Sequence, residues 1–294
     1  MLRSSTTQCT GIHVASDGVY VVQLSRRGRR VSLARCTAVR LERSVTMPES
    51  LADSEARELL AEALRVLRRG GIDVARPYFA LSGTACFIKR RFALPRSAEA
   101  TREHLMWEAE QLLGPDVDEY VVDTLVTPRH GFFIAVRRQI LDLHRALCRQ
   151  ARLGDPGFDM ASFALCNALE SCGAGGAGVE VILQEEGHSA RAVLLRDGAY
   201  EGESSWILDD QTMTAGVTRL CQAELDEHES VPRMWLASGG HAGGFDRVDE
   251  VLELDPFAGL SVPDSVRQTL NNAEVPPRAY TVAVGLAVRG LADV

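Results

Sequence analysis

The sequence predicts an α/β protein of two lobes in which one architecture is used twice. Residues 10–24, TGIHVASDGVYVVQL, read as two short strands around a tight turn. Residues 179–200, VEVILQEEGHSARAVLLRDGAY, repeat the strand–turn–strand pattern, and Asp197-Gly198 makes a further tight turn. Between them lies GAGGAG, 173–178, the one Gly-rich stretch with the character of a lobe boundary.

After the first hairpin, VSLARCTAVRL (31–41) alternates as a third strand, giving a three-stranded antiparallel start. SEARELLAEALRVLRR (54–69) places Leu59, Leu60, Ala63, Leu64 and Leu67 at helical spacing, with Ser54 as N-cap candidate and Gly70-Gly71 as terminator. PYFALSG (77–83) is a short buried strand, and hairpin, helix, strand is the core pattern of a ribonuclease-H-like lobe. The next segment reads as an insertion. It comprises a strand (85–95), a capped helix (97–114) carrying Leu105, Met106, Ala109, Leu112 and Leu113 on one side, strands at 118–126 and 131–138, and a helix at 139–153. FDMASFALCNALES (158–171) returns to the first lobe as strand and helix. Beyond the second hairpin, the sequence predicts a helix at 212–228, a strand ending in Gly-Gly within MWLASGGHAGG (234–244), then VLELDPFAGL (251–260) and the closing YTVAVGLAVRGL (280–291).

Composition narrows the function classes. With 294 residues, 46% hydrophobic and 24% charged, the chain has the balance of a soluble globular protein, and none of its apolar runs is long enough to span a bilayer. MLRSSTTQC lacks the apolar core of a secretory signal, which predicts a cytosolic protein. Its seven cysteines (Cys9, Cys36, Cys86, Cys148, Cys166, Cys172, Cys221) are odd in number and scattered, as expected of thiols in a reducing compartment. A net charge of −8 argues against nucleic-acid binding, which needs a clustered positive field.

In this order the pieces resemble the PilM family, cytoplasmic actin-like proteins of type IV pilus assembly. That family is related to the cell-division protein FtsA and to the cytoplasmic part of the type II secretion L protein. The resemblance is carried by YTVAVGLAVRGL at the C-terminus, the DPF of 255–257, FDMASFALCNAL in the return to lobe one, and EAEQLLGPDVDEYVVD in the inserted unit. It spans nearly the whole chain. It implies an actin-like, ribonuclease-H-like duplicated two-lobed fold with an inserted SHS2-like subdomain and a reduced second lobe. The implied division is 1–83 and 158–177 for the first lobe, 84–157 for the insertion, 178–278 for the second lobe, and 279–294 for a C-terminal helix packing on the first.

The nucleotide motifs depart from the family. In an active actin-type ATPase the first strand ends in Asp, a small Gly and Ser/Thr loop cradles phosphates with backbone N–H groups, and carboxylates organise Mg²⁺. Here His13 occupies the Asp position, Ala15 the Gly position, and Tyr20 the place of a Lys or other small polar group, with Asp17 in the turn. In the second hairpin Gln184 stands for Asp and Glu186 for Gly, and a glutamate aimed at a triphosphate is repulsive. Gly239 and Gly240 are the pair that would approach adenosine. ESSWILDDQTMTAGVTRLCQAELDEHES (203–230) has room for one helix and a loop, so the cleft is expected to lack a wall as well as its carboxylate. Such a form is closer to the MshI-like pilus proteins and the secretion L proteins, and no cofactor is expected.

Other readings remain beside this one. Asp17 and Glu185 could form the rearranged acidic pair of a small-molecule kinase, or be solvated turn carboxylates. No P-loop, G-x-S-x-G elbow or H-E-x-x-H accompanies them. His13, His188 and His241 fall on the three cleft loops and suggest a transition-metal site or a protonation switch, or else large polar residues filling an abandoned cavity. His104 and Glu108 have metal-compatible helical spacing or form a surface pair.

The resemblance implies a partner. PilM-like proteins dock a short cytoplasmic peptide of PilN, a membrane protein, in a groove between the first lobe and the insertion, which requires apolar surface. Candidates are Phe79, Phe87, Phe92, Trp107, Phe132 and Phe133; strand alternation prevents Phe132 and Phe133 from both facing inward, so one belongs to the groove. Arg90, Arg91, Arg137 and Arg138 flank the same strands and could meet acidic partners or lipid headgroups, or be solvated edge charges. The expected function is a non-catalytic scaffold of a type IV pilus or type II secretion inner-membrane platform. It would be cytoplasmic, peripheral to the inner membrane through a PilN-like protein, with the assembly ATPase as a further partner. The alternative is an ATP-binding PilM-like switch.

Overall fold

The computed structural model describes residues 6–293 apart from 46, 48, 73, 83–85, 92–96, 209–211, 226–230, 239–247 and 273–274. Strands β1 (Thr7–Val14), β2 (Gly18–Arg27) and β3 (Arg30–Arg40) form an antiparallel meander. Alternation on β2 sends Val19 and Val21 to one face and Val22 and Leu24 to the other, and both faces are buried. Helix α1 (Ser54–Arg69) is capped by Asp53, whose carboxylate accepts from the Glu55 N–H, so the cap is one residue earlier than the expected Ser54. An aspartate there also meets the positive end of the helix dipole. Strand β4 (Pro77–Leu81) then runs parallel to β1.

The inserted sheet has strand order β5-β7-β6: β5 (Cys86–Arg91), β6 (Tyr120–Val126) and β7 (Gly131–Arg137) are antiparallel. Helix α2 (Ala98–Leu113), capped by the Ser97 hydroxyl, covers one face through Leu105 and Ala109. The apolar side expected of α2 is narrower than the sequence suggested, for Met106 and Leu112 are exposed. Helix α3 (Arg138–Ala151) packs in two directions, and its Leu141 meets Ile134 and Val136 of the inserted sheet. Its Leu147, Cys148 and Ala151 pack with Leu60, Leu64 and Leu67 of α1, because it is the crossover that carries the chain back to β8 (Gly157–Met160), parallel to β4. Helix α4 (Ala161–Ser171) follows at once.

The second half repeats the first strand for strand. Strands β9 (Val179–Glu186), β10 (Ser189–Arg196) and β11 (Ala199–Ile207) form a meander, helix α5 (Thr212–Glu224) crosses over, and β12 (Val231–Ser238) and β13 (Val248–Glu253) add in parallel. The orders β3-β2-β1-β4-β8 and β11-β10-β9-β12-β13 are the same topology. The segment ESSWI, expected to begin a loop, is the end of strand β11; its pairing with β10 as far as Ile207 supplies the order that residues 203–207 lack in local pattern. Helices α6 (Asp264–Asn272) and α7 (Thr281–Ala292) end the chain.

The two sheets share α4 and α7 as a common middle layer. Ala283 and Ala287 of α7 pack on Cys9, Val22 and Leu24 of the first sheet, while Val282 and Leu286 face Ile182, Val193 and Trp235 of the second. Backbones approach so closely that a Cβ at Gly11 would overlap the Ala283 carbonyl and one at Gly285 the Ala164 carbonyl. A buried carboxylate fixes the start of the second lobe: Glu180 accepts from Trp235 Nε1 at 3.1 Å and the Gly176 N–H at 2.9 Å, and pairs with Arg233 at 3.1 Å. No described helix is long and apolar enough to cross a membrane, and the six cysteines with described side chains are free.

Two measurements test this packing. Gly285→Ala is expected to destabilise the protein by about 3 kcal/mol, the upper end for overpacking, because the obstructing atom is backbone; an unchanged thermal midpoint would contradict the close approach. His144 sits between Phe79 and Phe158 with Nδ1 donating to the Ile140 carbonyl at 2.8 Å. Burial, partly opposed by that hydrogen bond, pushes its imidazole down from 6.5 to about 4. Between those values the unfolded chain is protonated and the folded one is not, so stability falls as pH drops from 6.5 to 4, by roughly 3 kcal/mol. Urea midpoints across that window are expected to flatten in His144→Leu.

Candidate functional site

The site lies where the two hairpin turns face one another. In the first, His13 pairs with Tyr20 and Val14 with Val19, and the Ala15 N–H donates to the Gly18 carbonyl at 2.9 Å, leaving Ser16 and Asp17 at the tip. The Ser16 and Asp17 carbonyls accept from the Val45 and Leu41 N–H groups, so the segment after β3 holds the turn down. Ala15 is buried in a cluster with Tyr20, Phe257 and Tyr280, and the Tyr20 and Tyr280 rings meet edge to face at 5.7 Å. The Tyr20 hydroxyl donates to both Asp17 oxygens at 3.0 Å. Burial and then the Asp17 charge raise the tyrosine's pKa, so the phenol keeps its proton and Asp17 is engaged within its own turn.

The second turn is Gly187-His188, with Glu186 paired to Ser189 and Gly187 at φ +59°. It reaches the first. A Cβ at Gly187 would lie 2.6 Å from Ser16 Oγ, so only glycine permits this contact as well as this backbone conformation. Glu186 Oε2 lies 3.4 Å from His13 Nε2 and accepts from Gln184 Nε2 at 3.3 Å, close to the Ser16 backbone. Burial alone would raise the Glu186 pKa; His13, followed by Arg191 and the Ser16 backbone, outweighs it and holds the group below the ordinary carboxylate value. His13 is buried and Glu186 is 32% exposed at the side chain.

The described sequence candidates have definite places. His13, Gln184 and Glu186 meet at this contact, while Ala15 and Asp17 of the first turn face the Tyr20 side, and Glu185 projects from the opposite face of β9. His188 is exposed on the turn, its carbonyl accepting from Leu208. Gly239, Gly240 and His241 lie outside the described residues, and among the described residues no group of three or more His, Cys, Asp or Glu is placed to hold a metal. His104 and Glu108 pair at 3.2 Å on α2.

The aromatic groove requires correction. Phe79 is 1% exposed in the first-lobe core, beneath His144. Phe132 and Phe133 are both buried, at 1% and 0%, because the inserted sheet is covered on both faces. Phe133 packs under α2, and Phe132 meets Tyr200 of the second lobe edge to face at 5.0 Å, as does Phe163 of α4. Neither is available to a peptide. Trp107 is exposed at 55%, with His104 stacked on it and Met106 beside it. Phe87 and Arg90 lie on β5, and Phe92 lies outside the described residues.

Two participants escaped the sequence reading. One is Ser16, whose side chain stands against Gly187 of the second turn; the glycine at that turn was the available signal. The other is the contact of His130 Nδ1 with Glu201 at 3.2 Å, which ties the β6–β7 turn to the second lobe, and no local pattern announces it.

A test of the contact follows from its sign. Because the Glu186 pKa is lowered on folding, its stabilisation is present above 4.5 and is lost as pH falls through the lower folded value. Glu186→Gln is expected to lower the melting temperature at pH 7 and to remove that part of the acid sensitivity.

No protein-family model matches the sequence, and no curated protein matches it. Solved structures do. The PilM–PilN type IV pilus biogenesis complex aligns at TM-score 0.72 and 19% identity, covering 96% of this chain and 98% of that one. The cytoplasmic domain of EpsL, an inner-membrane component of the Vibrio cholerae type II secretion system, aligns at TM-score 0.53 and 9% identity over 84% and 90% of the two chains. A Bacteroides thetaiotaomicron protein with an actin-like ATPase fold and unknown function aligns at 0.51 and 10%, over 90% and 96%. The chain has the actin-like ATPase fold, and its structure is similar to that in the PilM–PilN complex over nearly its whole length.

Proposed function

We propose that the protein is a non-catalytic cytoplasmic scaffold of a type IV pilus or type II secretion inner-membrane platform, binding a short cytoplasmic segment of a PilN-like membrane partner. Its likeness to a structure described as a PilM–PilN complex and to the EpsL cytoplasmic domain supports the setting. The observation that carries the non-catalytic reading is the contact of Glu186 with His13 across the two turns. A carboxylate of the second turn stands against the first turn, where it would repel an incoming phosphate. Asp17, the other carboxylate at the turns, is turned to Tyr20.

Thermal denaturation with Mg·ATP tests this. No stabilisation is expected at millimolar nucleotide, whereas binding at micromolar affinity would raise stability by about 4 kcal/mol at a thousandfold excess over Kd. Such a rise would favour the ATP-binding switch, and turnover abolished by Asp17→Ala would favour a kinase. The partner is tested by titration with the cytoplasmic peptide of a PilN-like protein encoded nearby. Among the aromatic candidates with described side chains, Trp107 is the exposed one. Trp107→Ala is expected to weaken the peptide by about tenfold or more, the loss of a hot-spot aromatic. Unchanged affinity would remove α2 from the docking surface.

A further inference from the structure

The charge of this acidic chain is unevenly placed. Helices α1 and α3 both end where β4 and β8 begin, which is also where β1 starts and where β2 turns into β3. That end of the first lobe is the one away from the cleft. Its β2–β3 turn carries the exposed Arg27, Arg29 and Arg30 around Gly28. The C-terminal ends of α1 and α3 add Arg65, Arg68, Arg69, Arg149 and Arg152, and the entry to β4 adds Arg76. A hollow of about 390 Å³ between the helix ends is lined by Arg65, Arg68, Arg69, Arg152 and Gln150. A second, about 410 Å³, shares Arg68 and Arg152 and is floored by Ile72 and Val74.

Ordinary causes account for part of this charge. Cations offset the negative ends of helices, about half a unit at each of two termini. Glu58 and Glu62 pair with Arg65, and Glu62 with Arg69. Asp73 and Asp155 lie in the adjoining loops by sequence, and Asp293 is already paired with Arg289. The turn arginines, Arg68, Arg76, Arg149 and Arg152 exceed what these neutralise.

We propose that this end of the first lobe docks directly on an anionic phospholipid surface. Charge complementarity and shape select that occupant. The arginines stand on turn tips and helix ends across five strands, a front about 20 Å wide at about 4.8 Å per strand. An acidic peptide would want a groove or a free sheet edge, and the nearby edge of β3 is covered where Leu33 and Val31 exchange hydrogen bonds with Ser261. Nucleic acid would want aromatic platforms, and the described residues of this front expose none. The cleft lies the length of β1 away, about 26 Å for eight residues, several Debye lengths at physiological salt, so carboxylates there do little to oppose contact. Contact would not need the PilN-like partner.

The test is sedimentation of the purified full chain with phosphatidylcholine vesicles, with and without phosphatidylglycerol. Selective binding to the anionic vesicles, lost as NaCl is raised, is expected. Reversing Arg27 and Arg29 to Glu, or separately Arg68 and Arg152, is expected to weaken it by more than tenfold, since each arginine near the surface contributes about fivefold. Arg102→Glu, on exposed α2, is the control for net charge. Melting temperatures verify folding, and the exposed turn variant keeps the test valid if the helix-end variant fails to fold. Equal binding to both vesicles, no binding at low salt, or an equal loss in Arg102→Glu would overturn the proposal. Tighter arginine-dependent binding of single-stranded DNA or polyglutamate would reassign the surface. No protein partner is present, so the result is independent of whether a PilN-like peptide binds.

Discussion

The α4–α7 layer is the constraint on which the structure depends. Two five-stranded sheets each need one face covered, and this pair of helices covers both at once. A single layer can serve two sheets only if its helices are apolar all round and small enough to let backbones approach. TVAVGLAVRGLA meets both demands, with one charged residue and Gly285 and Gly290 where α4 and β1 come nearest. The second lobe is positioned by the same surface, which explains why a helix at the end of the chain lies at the centre of the molecule.

Once the lobes are fixed, their hairpin turns must meet, and the side chains there decide what the cleft can hold. A half-buried carboxylate needs partners, and Glu186 finds them in His13 and Gln184. His13 and Glu186, one from each turn, are therefore one feature of the fold. Either alone would leave a buried polar group short of its partner.

What was legible in the sequence follows from the range of the forces involved. The hairpins, the apolar stripe of α1 and the closing helix are written in local periodicity, and the duplication follows from them. The end of β11 was not legible, because residues 203–207 gain strand order from pairing with β10 rather than from their own pattern. The second contact of α3 was hidden similarly: its first turns meet the inserted sheet through Leu141, and only the crossover topology brings its last turns onto α1. Alternation correctly separated Phe132 from Phe133 but could not reveal that the sheet is buried on both sides. At the cleft, the residue types were visible and their mutual contact was not.

The inserted sheet shows why the arrangement suits a rigid body better than a hinged one. Phe132 projects from it into an aromatic junction with Tyr200 of the second lobe and Phe163 of α4. The neighbouring contact of His130 with Glu201 seals the same seam. Opening the lobes would have to separate this junction as well as the Glu186–His13 contact and the α7 packing. Removing a buried phenylalanine typically costs about 3–5 kcal/mol, and exposing this one would incur much of that cost. A loss of that size exceeds the 1–3 kcal/mol with which effectors usually couple to conformation. The aromatic junction, the Glu186–His13 contact and the α7 packing therefore all favour the same relative position of the lobes and the insertion.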